Sequence, residues 1–233
     1  MDPSTCAGFR DQELERLAKH IARTRFARRL AGVQGWLKPK ERQILYALAR
    51  WLPGPFLEIG SWVGLSTCCI AMGIRDSRQK KEFITSDFNP SIENFRLVPA
   101  GVGFFVPKDS EECRGICSVD LFEHEIKPVI TSPGGVLRQL RLNLARFGLT
   151  DLVAIHTGDF DQVDNVGYRF IFCDAMHDPD EISLNAPKLR PYLSRGAVLA
   201  CHDSSPANEE CIRSYFPIGH SFTVDSLFVG EVV

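Results

Sequence analysis

The apolar positions of this 233-residue chain change period along its length. From about Asp11 to Leu30 they fall at helical spacing. Leu14, Leu17, Ala18 and Ile21 share a face, which Ala22, Phe26 and Leu30 continue in steps of four. Gly32 and Gly35 interrupt the pattern. Pro39 then opens a second predicted helix, with Ile44, Leu45, Leu48 and Leu52 as its buried stripe, and Pro53-Gly54-Pro55 stops it. Beyond residue 55, short and nearly continuous apolar runs take over. Phe56–Ile59, Glu82–Ser86, Leu152–His156, Phe170–Cys173 and Ala197–Cys201 read as strands. Helical stretches fall between them, at about 66–74, 135–147 and 180–193, the last expected to kink at Pro187. His220–Val233 reads as two strands around a tight turn near Asp225-Ser226. Strands apolar along their whole length, alternating with helices, predict an α/β fold with a parallel sheet covered on both faces.

One segment breaks the alternation. From about Asn89 to Thr131 the chain carries Pro90, Pro99, Pro107 and Pro128 with several glycines, and reads as irregular. It is too long for an ordinary connection, so it is expected to be a lid over a binding site within a single domain spanning 1–233. Residues 1–52 supply the extra N-terminal helices.

Charge changes little in this picture. A net charge of -2, with 24% charged and 44% hydrophobic residues, gives no reason to expect a nucleic-acid partner. Arg23, Arg25, Arg28 and Arg29 cluster on the first predicted helix and read as a solvated face. No apolar run approaches the ~20 residues of a membrane span, and Met1–Arg10 lacks a signal-like stretch. The eight cysteines are irregularly spaced and read as reduced thiols of a cytoplasmic protein.

The chemistry concentrates where strands end. Phe56-Leu57-Glu58-Ile59-Gly60-Ser61-Trp62-Val63-Gly64-Leu65-Ser66 is a strand, a glycine turn and a helix start. Gly60 permits the bend, Gly64 permits a ligand to approach the backbone, and Ser66 is placed to help cap the helix. The G-x-x-x-G spacing is neither a dinucleotide fingerprint nor a phosphate loop. Glu58 is read as pointing into the site, where it would repel a pyrophosphate and favour a cofactor carrying ammonium and sulfonium charge. Asp87 ends the second strand, where an acid can accept from both ribose hydroxyls, and Phe88 could pack on an adenine face. Thr157-Gly158-Asp159-Phe160 follows the third strand, with Asp159 placed to accept from an adenine amino group. The fourth strand ends in Asp174 and His177, and the fifth in His202 and Asp203. Adjacent strands lie ~4.8 Å apart, so these four groups should cluster and suit a divalent metal.

The sequence E-I-G-S-x-x-G-x-S-T, the acid after the second strand, the G-D after the third, the D-x-x-H after the fourth and the His202-Asp203 pair together resemble class I S-adenosylmethionine (SAM)-dependent methyltransferases. The nearest subgroup contains macrolide-sugar O-methyltransferases and is related to catechol O-methyltransferase. The resemblance covers about Pro39 to the C-terminus. It implies a Rossmann-like, doubly wound sheet of seven strands, the last antiparallel. It implies SAM along Glu58, Gly60, Ser61, Gly64 and Ser66, with Asp87 and Phe88 at the ribose and adenine, Asp159 and Phe160 near adenine, and Asp174 bordering the cofactor. It further implies Mg²⁺ or Mn²⁺ on Asp174, His202 and Asp203, with His177 as general base. The subgroup's usual D-G-D-H stands here as Asp174-Ala175-Met176-His177, with Met176 in place of a carboxylate. The expected acceptor is a hydroxyl of a small molecule, a sugar or phenol of a secondary metabolite, with no nucleic-acid or membrane partner. Homo-oligomerisation through the N-terminal helices is expected from similar enzymes. A nicotinamide-dependent oxidoreductase is disfavoured by the missing fingerprint glycine and by Glu58, and a non-catalytic SAM-fold protein by the crowding of Asp174, His177, His202 and Asp203.

Overall fold

A computed structural model describes residue 30 and residues 32–233. The first predicted helix, about Asp11 to Leu30, and its arginine cluster lie outside the described residues apart from Leu30. Helix α1 spans Pro39–Trp51. Pro39 sits in its first turn with φ already suited to a helix, and the Glu41 side chain accepts the Lys38 N–H at 2.6 Å. The expected stripe is rotated slightly. Leu45, Tyr46, Leu48 and Ala49 are buried, whereas Ile44 and Leu52 are only partly so. The reason is a close helix crossing: a Cβ added at Gly73 of the next helix would stand 2.2 Å from the Tyr46 carbonyl oxygen.

Strand β1 (Phe56–Ile59) is followed by α2 (Leu65–Ser77) and β2 (Phe83–Asp87). The segment expected to be irregular is instead ordered. It holds β3 (Phe95–Val98), β4 (Gly101–Phe105) and β5 (Cys113–Cys117), paired as an antiparallel three-stranded sheet, and then a helical stretch over 119–130 containing one π turn. Its core is a small cluster of Val102, Phe122, Ile126 and Ile130, which packs against Val63 of the glycine turn and Val136. Helix α3 (Gly135–Arg146) leads to β6 (Ala154–Thr157), followed by β7 (Tyr168–Cys173). Helix α4 (Pro179–Leu189) contains Pro187 and passes into a 3-10 turn over 190–192, so it ends earlier than expected. Strand β8 (Leu193–Cys201), α5 (Pro206–Tyr215), β9 (Ile218–Val224) and β10 (Leu227–Val232) complete the chain.

The main sheet has seven strands in the order β6-β2-β1-β7-β8-β10-β9. The first five run parallel, and β10 runs antiparallel to both its neighbours. Alternation along the strands splits two cores. Phe56, Phe170, Phe172, Val198 and Ala200 face α1, α2 and α3. Leu57, Ile59, Ile171, Leu199 and Cys201 face α4 and α5. Each of the Phe, Val, Leu and Ile side chains contributes about 1.5–3 kcal/mol by leaving water, which fixes the register and so the strand ends that carry the chemistry. Among the described residues no helix is long and apolar enough to cross a membrane.

Candidate active site at the carboxyl edge of the sheet

The glycine turn leaves β1 against the backbone of the neighbouring strand. Gly60 has φ +84°, and an added Cβ would lie 2.5 Å from the Asp174 carbonyl oxygen. Gly64, at φ +94°, is itself the N-cap of α2, so Ser66 falls inside the helix rather than capping it. Trp62 also takes a positive φ of 47°, rare for so large a side chain. Its ring packs on Trp36 with centroids 5.7 Å apart. Trp36 Nε1 in turn donates to Glu125 Oε2 at 3.0 Å, tying the segment before α1 to the helical part of the insert.

Glu58 does not open onto the cleft. It is fully buried beneath the turn, with Thr67 Oγ1 donating to its Oε2 at 2.6 Å. Burial raises its pKa to about 7, although hydroxyls of the adjoining helix and strand pull the other way. The folded state therefore holds this proton more tightly than the unfolded chain. Its contribution to stability is complete below pH 4.5 and is lost as pH rises through 7. Glu58→Gln should remove that slope, a difference on the order of 3 kcal/mol between about pH 4.5 and pH 8. Urea unfolding at several pH values measures it; parallel profiles for variant and wild type would refute the assignment.

Asp87, at the end of β2, turns back toward the glycine turn. Its Oδ2 accepts the Ser61 and Trp62 N–H groups at 2.9 and 2.8 Å, and its Oδ1 accepts the Asn89 N–H at 3.0 Å. Burial raises its pKa, and these three N–H groups oppose the rise. Beside it lies a small cleft lined by Ser61, Trp62, Asp87, Leu137, His156 and Thr157, among others. Of the residues assigned to a cofactor by sequence, Ser61 and Asp87 line this pocket, and Glu58, Gly60, Gly64, Ser66, Phe88, Asp159, Phe160 and Asp174 do not. Phe160 is buried in the core with its ring edge-on to Tyr192. Asn89, His156 and Thr157 line the pocket without having been assigned to the cofactor. Their signal was their place beside strand ends, which is weak for short polar residues.

Asp174, His177 and Asp203 each offer a ligand atom, all within 4.8 Å of one another. His202 is placed differently from its expected partners. It is 5% exposed, with Nδ1 3.0 Å from Asp174 Oδ1 and Nε2 3.3 Å from Glu41 Oε2 on α1. Burial alone would lower its pKa, but Asp174 and Glu41 raise it to about 10. Its two nitrogens are thus directed at carboxylates within the protein. Glu41 is held to about pKa 2, because bonds from His202, Lys38 and Ser226 outweigh its burial.

The half-exposed His177 is oriented by Glu181, whose Oε2 accepts both its backbone N–H at 2.8 Å and its Nδ1 at 2.7 Å. That leaves Nε2 on the side of Asp203, 3.9 Å from its Oδ2. Burial would lower the His177 pKa, but Glu181, then Asp174 and Asp203, raise it to about 9. One further buried support was not anticipated. Asn208 of α5 donates to the carbonyls of both His177 and Asp203 at 2.9 Å, fixing the two loops together. Asp203 itself has φ 54°, an uncommon conformation held by these bonds. Met176, which replaces the subgroup's carboxylate, is buried in the core facing α4.

A seven-stranded sheet with one reversed strand, a glycine turn after β1 and an acid ending β2 defines a Rossmann-like class I SAM-dependent methyltransferase fold. The family model for the methyltransferase domain matches residues 57–204, and the chain belongs to that family. Solved structures agree on the fold. The O-methyltransferase NovP is 14% identical with a TM-score of 0.55, over 83% of this chain and 79% of that one. Cofactor-bound Rv0187 from MTB is 16% identical with a TM-score of 0.52, over 94% and 89%. An RNA methyltransferase from Salinibacter ruber, in complex with S-adenosyl-L-homocysteine, is 14% identical with a TM-score of 0.50, over 85% and 92%. Comparison with curated protein sequences finds no significant match.

The residues fit the cofactor in chemistry. Trp62 Nε1 and His156 Nε2 are buried nitrogens of pocket-lining residues with no hydrogen-bond partner among the described residues, as a site for a polar ligand requires. A divalent cation is matched in chemistry by the carboxylates of Asp174 and Asp203, with the His177 imidazole beside them.

Proposed function

We propose that the protein transfers the methyl group of SAM to a hydroxyl of a small molecule, a sugar or phenol of a secondary metabolite. The observation that carries this reading is the adjacency of the glycine turn and the Asp174–His177–Asp203 cluster, which meet at Gly60 and the Asp174 backbone. The O-methyltransferase NovP, with its similar fold, supports an oxygen acceptor.

Methyl transfer is an in-line displacement in which the acceptor oxygen attacks the methyl carbon as its own proton departs. In this reading Asp87, Ser61 and Trp62 hold the cofactor side, and Asp174 and Asp203 hold a divalent cation. His177 takes the proton through Nε2, its ring steadied by Glu181. A bound cation would lower the acceptor's pKa and, by offsetting the acids, that of His177. The remaining acceleration comes from holding oxygen and methyl in line.

The test is methyl transfer from labelled SAM to a panel of sugars and phenols, with Mn²⁺ or with EDTA, over a range of pH. Since a base must be neutral to act, the rate in EDTA should climb until about pH 9. Mn²⁺ should move that limb to lower pH, and Asp203→Ala should abolish the Mn²⁺ effect. Transfer only to nitrogen or carbon acceptors, or an unchanged pH profile in His177→Ala, would refute the reading.

A further inference from the structure

We propose that Glu41, on the N-terminal helix α1, is a positioning residue of this site, acting through His202 on Asp174; this deepens the methyltransferase reading above and rests on it. Glu41 is fully buried, and both of its oxygens are filled. Oε1 accepts the Ser226 N–H at 2.8 Å and the Ser226 hydroxyl at 2.7 Å. Oε2 accepts the Lys38 N–H at 2.6 Å and stands 3.3 Å from His202 Nε2. A helix start can be capped from the surface by a short polar side chain at far lower cost than burying a carboxylate. Capping alone therefore does not account for placing this charge in the interior. Among the described residues the ion-pair partner of Glu41 is His202.

The consequence falls on Asp174. The His202 ring lies between Glu41, an ion pair at 3.3 Å with no hydrogen bond to Nε2 among the described residues, and Asp174 Oδ1, 3.0 Å from Nδ1, with Asp203 Oδ1 3.4 Å away. Hydrogen-bonded to Asp174 through Nδ1 and drawn by the Glu41 charge on its Nε2 side, the ring orients the carboxylate it touches. The same anchor reaches the loop after β8, because the Ser226 carbonyl accepts the Ser204 N–H at 2.8 Å. Glu41 thus connects α1, the β9–β10 turn and the two strand ends that carry Asp174 and Asp203. Outer partners of this kind, which orient ligand groups without touching the ion, typically change metal affinity about 10- to 100-fold when removed.

Glu41→Gln separates this role from a purely structural one when set beside Tyr46→Phe. The latter, on the same helix as Glu41, removes the 2.8 Å bond from Tyr46 to Asp76 of α2, away from the cluster. Three quantities are measured on each protein: Mn²⁺ affinity by electron paramagnetic resonance, S-adenosylhomocysteine affinity by calorimetry, and Tm. Glu41→Gln should weaken Mn²⁺ about 10- to 100-fold while leaving S-adenosylhomocysteine within about twofold. Tyr46→Phe should lower Tm and leave both affinities in place. Unchanged Mn²⁺ affinity in Glu41→Gln, or losses that merely follow Tm in both variants, overturns the proposal. If the wild type takes up no Mn²⁺, the ligand set proposed above fails, and crystal structures of wild type and Glu41→Ala decide the positioning role. Rotation of the Asp174 carboxylate away from His202 in the variant supports it; a retained contact of 3.0 Å overturns it.

Discussion

Gly60→Ala is expected to collapse the site and lower the stability of the whole domain. The residue sits at φ +84°, where an L side chain alone costs about 1–2 kcal/mol. The larger cost is steric. The new Cβ would lie 2.5 Å from the Asp174 carbonyl oxygen and 3.1 Å from its carbon, both main-chain atoms that cannot swing aside. Neither strand can retreat, because the Asp174 N–H donates to the Ile59 carbonyl at 2.8 Å and the Gly60 N–H to Ser86 at 2.9 Å. A total loss on the order of 3–5 kcal/mol follows, or roughly 10 °C in Tm for a domain of this size. Thermal melting by circular dichroism and calorimetry with S-adenosylhomocysteine read the two effects. A variant with wild-type Tm and affinity would show that the turn does not press on Asp174.

Asp87→Ala should abolish cofactor binding with a smaller effect on folding. Its carboxylate gathers the N–H groups of Ser61, Trp62 and Asn89, so removal leaves the loop donors without their acceptor. Bonds to a charged acceptor contribute about 1.5–3 kcal/mol each, and losing the loop geometry as well should weaken S-adenosylhomocysteine at least about 100-fold. Asp87→Asn keeps one acceptor oxygen and should fall between. Affinity within about threefold of wild type in Asp87→Ala would remove Asp87 from the cofactor site.

The parallel strands were legible because each is buried on both faces, and the apolar runs Phe56–Ile59 and Phe170–Cys173 reflect that directly. The sheet of the insert was not legible. Its strands are four or five residues long, and β3 and β5 have no fully buried position, so composition there records turns more strongly than pairing. At the site, the acids and histidines at the strand ends were visible as residues, but their partners were not. Glu41 lies in the first turn of an amphipathic helix, where a glutamate ordinarily reads as solvated, and its carboxylate meets Ser226 only through the fold, 185 residues later. How His177 and His202 face the Asp174–Asp203 acids depends on which way each ring is drawn. That is decided by Glu181 and Glu41, through tertiary contacts that spacing along the chain does not encode.

The reversal of β10 also sets what the end of the chain can reach. Every parallel strand delivers its last residue to the functional edge, and its first residue to the opposite one. A strand inserted upside down does the converse, so β10 begins where β8 finishes, with Phe228 opposite Cys201. Its hairpin turn is therefore brought beside His202 and Asp203, although the helices and loops between lie elsewhere. Had β10 run parallel, that turn would sit at the far rim, and Ser226 could neither hold Glu41 nor steady Ser204. The antiparallel strand closes the active edge with the chain's final turn.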